Sequence, residues 1–154
     1  MEIKSVILAA GKGTRMKSET PKVLHKIFEK PLLGYVLDSV KDLTNEDFVI
    51  VGHHAEEVTD FVEKNYTNAK TVLQTPQLGT GHAVSMVCPY LENFKGQVLI
   101  LCGDTPLITE ATLKKFVEYH NSVNSDLTVM STIFDNPTNY GRIIRETDNS
   151  LKCI

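Results

Sequence analysis

The chain has 154 residues, of which 42% are hydrophobic and 23% charged, as in an ordinary globular domain. Its formal net charge of −3 argues against general nucleic-acid binding, which requires a basic surface. The N-terminus lacks a signal-peptide layout, and no apolar run approaches the roughly 20 residues of a membrane span. Three cysteines without CxxC spacing are interpreted as buried thiols of a reducing compartment. We therefore expect a cytoplasmic protein that binds neither nucleic acid nor a membrane.

Short apolar runs alternate with amphipathic stretches along the whole chain. Strands are predicted over residues 3–9, 48–51, 71–73, 98–101 and 127–134. The run 98–101 is apolar throughout, which is typical of a strand covered on both faces. Helices are predicted over residues 32–43, 58–62 and 83–91, the last interrupted at Pro89, and a fourth is expected after an N-cap at Thr109. This alternation predicts an α/β fold with a doubly wound, mostly parallel sheet and helices on both faces.

The C-terminal residues have the pattern of a hairpin. Residues 142–145 and 151–154 are predicted strands, and the polar residues 147–150 are predicted to form the turn between them. The chain stops on an apolar residue inside the second of these strands, where natural domains rarely end. We therefore interpret residues 1–154 as the N-terminal part of a single domain, truncated at its C-terminal end.

A glycine-rich segment, residues 8–16 (LAAGKGTRM), follows the first predicted strand. In open α/β sheets ligands bind beyond the carboxyl ends of the strands, and small residues let backbone N–H groups approach phosphate oxygens. Arg15 offers a bidentate contact to phosphates and Lys22 a point charge. The alternative is an ordinary glycine turn with solvated cations. Met16 stands where a dinucleotide-binding fingerprint needs its third glycine, and the chain has no P-loop motif.

Asp104 follows the most apolar predicted strand, within residues 101–107 (LCGDTPL). This position is at the carboxyl edge of the sheet, beside the glycine-rich segment. Magnesium on a nucleotide is held by one or two carboxylates together with phosphate oxygens and water, so Asp104 is a candidate magnesium ligand. The alternative is that Asp104 only forms the turn before Thr105 and Pro106.

Residues 74–83 (QTPQLGTGHA) follow another predicted strand and lead into a helix. The amide of Gln74 can donate to and accept from a base edge, and Gly79 and Gly81 permit close approach of the backbone. A surface glutamine is the alternative for Gln74. His82 near the helix start could be a general base, but a structural histidine is the more common outcome.

These motifs resemble those of the bacterial N-acetylglucosamine-1-phosphate uridyltransferases. Residues 8–16 and 21–25 (PKVLH) match the signature of that family, and residues 74–83, 103–107 and 137–142 match its later motifs in order. The resemblance covers essentially the whole chain. It implies the Rossmann-like fold of nucleotide-diphospho-sugar transferases.

The resemblance also implies roles for individual residues. Arg15 and Lys22 would be catalytic, by neutralising the triphosphate of UTP, and Asp104 would bind Mg²⁺. Gln74 would hold the base, and Gly141 would lie against the sugar. The implied substrate-binding residues are Leu8, Ala9, Ala10, Gly11, Gly13, Lys22, Gln74, Gly79, Thr80, Cys102, Gly103, Asp104 and Gly141.

The family reaction joins UTP and N-acetylglucosamine 1-phosphate to give UDP-N-acetylglucosamine and pyrophosphate. Two alternatives stay open: a nucleotidyltransferase for another sugar 1-phosphate, or a nucleotide-binding fragment without turnover. The family domain continues past residue 154 with further sugar and metal ligands, so we expect this chain alone to be inactive. In the usual bifunctional enzyme a β-helix domain follows and makes the protein a homotrimer, and that domain is absent here.

Overall fold

The computed structural model describes residues 1–13, 16–138, 140–148 and 150–153. They form two compact units, residues 1–115 and residues 116–154. In chain order the elements are β1 (Ile3–Leu8), β2 (Lys26–Ile27), β3 (Lys30–Pro31), α1 (Leu32–Val40), β4 (Glu46–Val51), α2 (Ala55–Asn65), β5 (Ala69–Leu73), α3 (Thr80–Ser85), β6 (Gln97–Cys102), α4 (Glu110–Ser122), β7 (Ile144–Arg145) and β8 (Leu151–Cys153). Short 3₁₀ helices cover Lys22–Leu24 and Cys88–Tyr90. That the chain is part of a single domain stays a prediction.

The first unit is built on a parallel four-stranded sheet with the strand order β5-β4-β1-β6. Leu8 at the end of β1 lies opposite Ile50 on one side and opposite Cys102 on the other. The chain runs from β1 to β4 and β5 on one side, then returns to β6 on the other. The sheet therefore has a topological switch point between β1 and β6, where α/β proteins bind ligands. The predicted class, an α/β fold with a parallel sheet and flanking helices, is confirmed.

The core follows from the alternation of side chains along the strands. Val6, Phe48 and Ile50 point to one face and pack in a cluster with Ala83 and Val87. The alternate residues Ile7 and Val49 point to the other face and are fully buried. Burying a side chain of this size stabilises the fold by about 1.5–3 kcal/mol.

A polar contact crosses the middle of this apolar sheet. Ser5 on β1 and Asp47 on β4 are register partners, and both are buried. The Ser5 hydroxyl donates to Asp47 Oδ1 at 2.6 Å, and the Thr44 hydroxyl donates to the same oxygen at 2.6 Å. These two donors satisfy a buried acceptor that would otherwise destabilise the fold.

The helix boundaries follow the expected local signals. α1 begins directly after Pro31. Thr109 caps α4, because its Oγ1 accepts the N–H of Thr112 at 3.2 Å, as predicted. The predicted helix over 83–91 is interrupted as expected: α3 ends at Ser85, and the turn that contains Pro89 is a 3₁₀ helix.

Three expectations from the sequence are wrong in the described residues. β6 is covered on one face only: Leu99 and Leu101 are buried, whereas the alternate residues Val98 and Ile100 are exposed. Residues 127–134 form no strand, and Ile133 is 97% exposed. A β-rich composition specifies a strand only where another strand accepts its hydrogen bonds. The cysteines are exposed rather than buried.

In the second unit β7 and β8 form an antiparallel pair, with Ile144 opposite Cys153. The predicted C-terminal hairpin is therefore confirmed as far as residue 153. Across the part of the chain that is described, no helix has both the length and the apolar character required to cross a bilayer.

Candidate functional site

A pocket of about 500 Å³ opens at the carboxyl edge of the sheet, beside the switch point between β1 and β6. This volume lies in the range of about 300–1,000 Å³ that is common for small-molecule sites. Most of the residues predicted from the sequence line it: Leu8, Ala9, Ala10, Gly11, Gly13, Lys22, Gln74, Gly79, Thr80, Cys102 and Asp104. They come from segments that are far apart in the chain, and most of them follow β1, β5 or β6, which are parallel strands of one sheet.

Two of the predicted residues that the structure describes are not part of this lining. Gly103 is buried directly behind it, where its N–H donates to the Leu8 carbonyl at 2.9 Å. A Cβ at this position would lie 3.1 Å from the same oxygen, a tight contact, so the close approach of β1 and β6 favours glycine. Gly141 belongs to the second unit. Arg15 lies outside the described residues.

The glycine-rich segment turns sharply at Gly13. Its φ is +58°, in the left-handed region that glycine adopts without strain. A Cβ on Gly13 would lie 3.0 Å from the Cβ of Lys22. Glycine therefore serves two purposes here: it permits the turn and it lets the segment approach Lys22.

Lys22 and Asp104 form an ion pair in the pocket, between Lys22 Nζ and Asp104 Oδ2. Lys22 opens a 3₁₀ helix, and Asp104 follows β6 by two residues. Both side chains are partly exposed, with 43% and 30% of their surfaces accessible, so they can be reached by a ligand. The pocket thus places a lysine ammonium and a carboxylate in contact.

Partial burial, followed by the nearby charge of Asp104, raises the pKa of the Cys102 thiol. A raised pKa keeps this thiol protonated near neutral pH, and a protonated thiol is a poor nucleophile. Cys102 therefore lines the pocket and does not act as a nucleophile.

Gln74 is the most buried polar residue of the pocket wall, with 4% of its surface exposed. Its backbone N–H donates to the Val51 carbonyl at 2.8 Å, which continues the sheet by one residue. Its side-chain nitrogen contacts the Gly79 carbonyl and His82. The surface-glutamine alternative is therefore wrong.

The structure adds residues that the sequence reasoning missed. Met16, Val23, Gln77 and Ala83 also line the pocket. Gly52, directly after β4, packs behind Gln77: a Cβ there would lie 2.5 Å from Gln77 Nε2 and 2.9 Å from the Cβ of Ala10. The available signal was position, because Gly52 follows a strand at the same carboxyl edge.

The described residues of this pocket offer few protein ligands for a magnesium ion. In the ranges that the structure describes, no group of three or more His, Cys, Asp or Glu side chains could hold a metal ion. Asp104 supplies a carboxylate to the pocket wall. This donor set does not form a protein metal cage, but it suits Mg²⁺, which keeps water and phosphate ligands of its own.

The fold and this pocket define an α/β protein with a nucleotide-type site at a topological switch point. Residues 5–146 match the MobA-like NTP transferase domain. The chain therefore belongs to the MobA-like NTP transferase family.

Individual relatives agree with this assignment. The chain is 50% identical over 155 aligned residues to the bifunctional protein GlmU of Alkaliphilus metalliredigens, and 47% identical over 152 to that of Clostridioides difficile. These alignments cover 100% and 98% of this chain but 33% and 32% of the relatives. The chain thus spans about a third of the length of the curated relatives it matches.

Solved structures show the same fold. HddC from Yersinia pseudotuberculosis, complexed with GMP-PN, is 29% identical, with a TM-score of 0.75 over 96% of this chain and 66% of that one. The inositol-1-phosphate CTP transferase from T. maritima is 20% identical, with a TM-score of 0.56 over 66% of this chain and 43% of that one, which is a likeness of fold alone.

Proposed function

We propose that the complete gene product transfers the uridylyl group of UTP to N-acetylglucosamine 1-phosphate, giving UDP-N-acetylglucosamine and pyrophosphate. The observation that carries this proposal is the pocket, in which the glycine-rich segment, Gln74 and the Lys22–Asp104 pair meet at the carboxyl edge of the sheet. The identity to GlmU proteins along the whole chain supports it.

The proposed reaction is a single displacement. An oxygen of the sugar phosphate attacks the α-phosphorus of UTP, and the bond from that phosphorus to the pyrophosphate oxygen breaks. The nucleophile is already an anion, so no protein group has to remove a proton. The residues of this chain then act by placing the two substrates and by neutralising charge.

Each part of the pocket has a place in this proposal. The backbone of residues 8–13 lies against the nucleotide, and Gln74 meets the base. Lys22 and Arg15 neutralise the triphosphate, with Arg15 offering the bidentate contact. Gly79 and Thr80 complete the nucleotide pocket, and Gly141 is proposed to lie against the sugar. Cys102 forms the wall next to Asp104, and Gly103 is buried behind that wall.

Magnesium is the proposed cofactor. Asp104 would hold it together with phosphate oxygens, and when bound it would supply positive charge next to the phosphates. The complete protein is further proposed to be cytoplasmic and to form a homotrimer through a C-terminal β-helix domain.

A second candidate is a nucleotidyltransferase that uses another base or sugar. The specific observation behind it is the HddC structure, which contains GMP-PN and covers 96% of this chain. A non-catalytic nucleotide-binding protein is the remaining alternative.

The test is an assay of pyrophosphate release with the complete gene product. UTP, CTP, ATP and GTP are each paired with N-acetylglucosamine 1-phosphate, glucose 1-phosphate and mannose 1-phosphate. We expect the highest kcat/KM for UTP with N-acetylglucosamine 1-phosphate. A higher value for GTP or for another sugar would support the second candidate, and no release with any pair would reject both.

A further inference from the structure

The amide of Gln74 is held by two contacts that both use its nitrogen. Gln74 Nε2 lies 3.0 Å from the carbonyl oxygen of Gly79 and 3.1 Å from His82 Nδ1. A carbonyl oxygen can only accept a hydrogen bond, so the contact with Gly79 determines which end of the amide is the nitrogen.

This orientation determines the state of His82. An amide nitrogen donates and does not accept, so His82 Nδ1 must be the acceptor. This contact corresponds to the tautomer that carries its hydrogen on Nε2. Both hydrogens of the Gln74 amide are used inside the protein, and the oxygen Oε1 is the part of the amide that Gln74 can offer to a ligand.

The arrangement is tied to the first turn of α3. The Gly79 carbonyl that accepts from Gln74 also accepts the N–H of Ala83 at 3.0 Å, which is a hydrogen bond of that turn. Gly79 has a φ of +102°, and His82 lies two residues into α3. The helix start thus presents one carbonyl oxygen and one ring nitrogen to a buried amide.

We propose that His82 is a positioning residue that makes Gln74 a hydrogen-bond acceptor toward the base, and thereby favours uracil over cytosine. The ring position N3 carries a hydrogen in uracil and a lone pair in cytosine. An oxygen that faces this position attracts uracil and repels cytosine. This inference rests on the proposed function, because it assumes that a pyrimidine nucleotide occupies the pocket.

Loss of the His82 acceptor has a defined consequence. One hydrogen of the Gln74 amide then lacks its partner, and a buried unpaired donor is costly. This free-energy cost is offset when the amide rotates and donates that hydrogen to an acceptor on the ligand, such as N3 of cytosine. A histidine that only packs against the helix start would have no such effect on the choice of base.

The test compares three variants of the complete gene product with the wild type. His82→Leu removes the acceptor, whereas His82→Asn replaces it with an amide oxygen. His54→Asn is the matched control: His54 also lies near a helix start and contacts a side chain through Nδ1, but its partner, Glu57 at 2.7 Å, does not line the pocket. Binding of Mg-UTP and Mg-CTP is measured by titration calorimetry, and folding is checked by urea unfolding.

We expect His82→Leu to reduce the preference for UTP over CTP by about tenfold, as for the loss of one oriented hydrogen bond. His82→Asn should restore most of this preference, and His54→Asn should leave it unchanged. An unchanged ratio of the UTP and CTP affinities in a folded His82→Leu variant would overturn the inference, while the wild-type assay would still support the proposed function.

A second measurement needs neither a variant nor a ligand. The ¹⁵N NMR spectrum of the wild-type protein reports the tautomer of each histidine, and His82 is assigned by comparison with His82→Asn. We expect the Nε2–H form for His82. The Nδ1–H form would contradict the inference even if the wild type failed to bind UTP, in which case the proposed function would fail separately.

Discussion

Lys22 and Asp104 neutralise each other in the pocket, although 82 positions separate them in the chain. In the proposed reaction both are needed by other groups, Lys22 by the triphosphate and Asp104 by Mg²⁺. A magnesium nucleotide brings a cation for Asp104 and an anion for Lys22 together. The ion pair can therefore be exchanged for two new contacts without leaving either charge alone.

The first prediction concerns Asp104. Asp104→Asn keeps the size of the side chain and removes the charge that attracts a hard cation. We expect the Mg²⁺ concentration required for half-maximal UTP binding to rise by about tenfold, with the urea midpoint unchanged. Asp42→Asn, a change at an exposed carboxylate after α1, is the control. An unchanged Mg²⁺ requirement in Asp104→Asn would support the alternative that Asp104 only forms a turn.

The second prediction concerns Lys22. In Lys22→Met the carboxylate of Asp104 loses its cation, so Mn²⁺ alone should bind more tightly than in the wild type. Mg-UTP should bind about tenfold more weakly, because a phosphate contact is lost. Titration calorimetry measures the affinities for Mn²⁺ and for Mg-UTP. Lys41→Met, at the exposed end of α1, is the control. Weaker binding of Mn²⁺ alone would mean that the pair does not compete with the metal.

The third prediction concerns Arg15, which lies outside the described residues. Arg15→Ala should lower kcat of the complete gene product by about 10²–10³, the usual cost of losing a preorganised electrostatic contact. Arg15→Lys should recover little, because lysine lacks the planar bidentate donors. Turnover of Arg15→Ala within twofold of wild type would remove its catalytic assignment.

The fourth prediction concerns Gly13. Alanine there is strained at a φ of +58°, and its Cβ would crowd the side chain of Lys22. We expect Gly13→Ala to fold and to bind Mg-UTP about tenfold more weakly, because the segment moves away from Lys22. Gly81→Ala is the control, since a Cβ at Gly81 meets no atom within 4 Å. An equal loss of Mg-UTP affinity in Gly13→Ala and Gly81→Ala would show that the effect is not specific to the turn at Gly13.

The fifth prediction concerns stability and pH. Hydrogen bonds from Lys70 and then Lys4 lower the pKa of Glu46, which joins three strands of the sheet. A lowered pKa means that the stabilisation is present above the ordinary pKa of a glutamate and is lost as the pH falls through the lowered value. Glu46→Gln should therefore cost about 0.5–1 kcal/mol at pH 7 and less at pH 3.

Urea unfolding of wild type and Glu46→Gln at both pH values measures this difference. Glu63→Gln, at an exposed position on α2, controls for the removal of one negative charge. A difference that is as large at pH 3 as at pH 7 would show that the carboxylate charge is not the cause.

Much of the fold and of the site was predictable because the signals are local. The apolar runs of β1 and β6 and the segments after them can be read from the sequence, and parallel strands carry such segments to one edge. Gly13 and Asp104 were therefore expected near each other before any coordinates.

The remaining features depend on neighbours that are distant in sequence. The exposure of Val98 and Ile100 depends on what packs against that face of the sheet. Residues 127–134 have the composition of a strand but no strand to pair with in the described chain. The packing of Gly52 against Gln77 leaves no room for a Cβ, which would lie 2.5 Å from Gln77 Nε2. No periodicity in the sequence records such a contact.

The buried contact between Ser5 and Asp47 has a consequence for strand alignment. A parallel pair of apolar strands can slide by two residues and still bury apolar side chains on each face. Such a slip of β1 against β4 would leave the carboxylate of Asp47 in the interior without the hydroxyl of Ser5. One polar pair thus penalises the shifted alignments. It thereby keeps Leu8 opposite Ile50, and so sets where the glycine-rich segment begins relative to the end of β4.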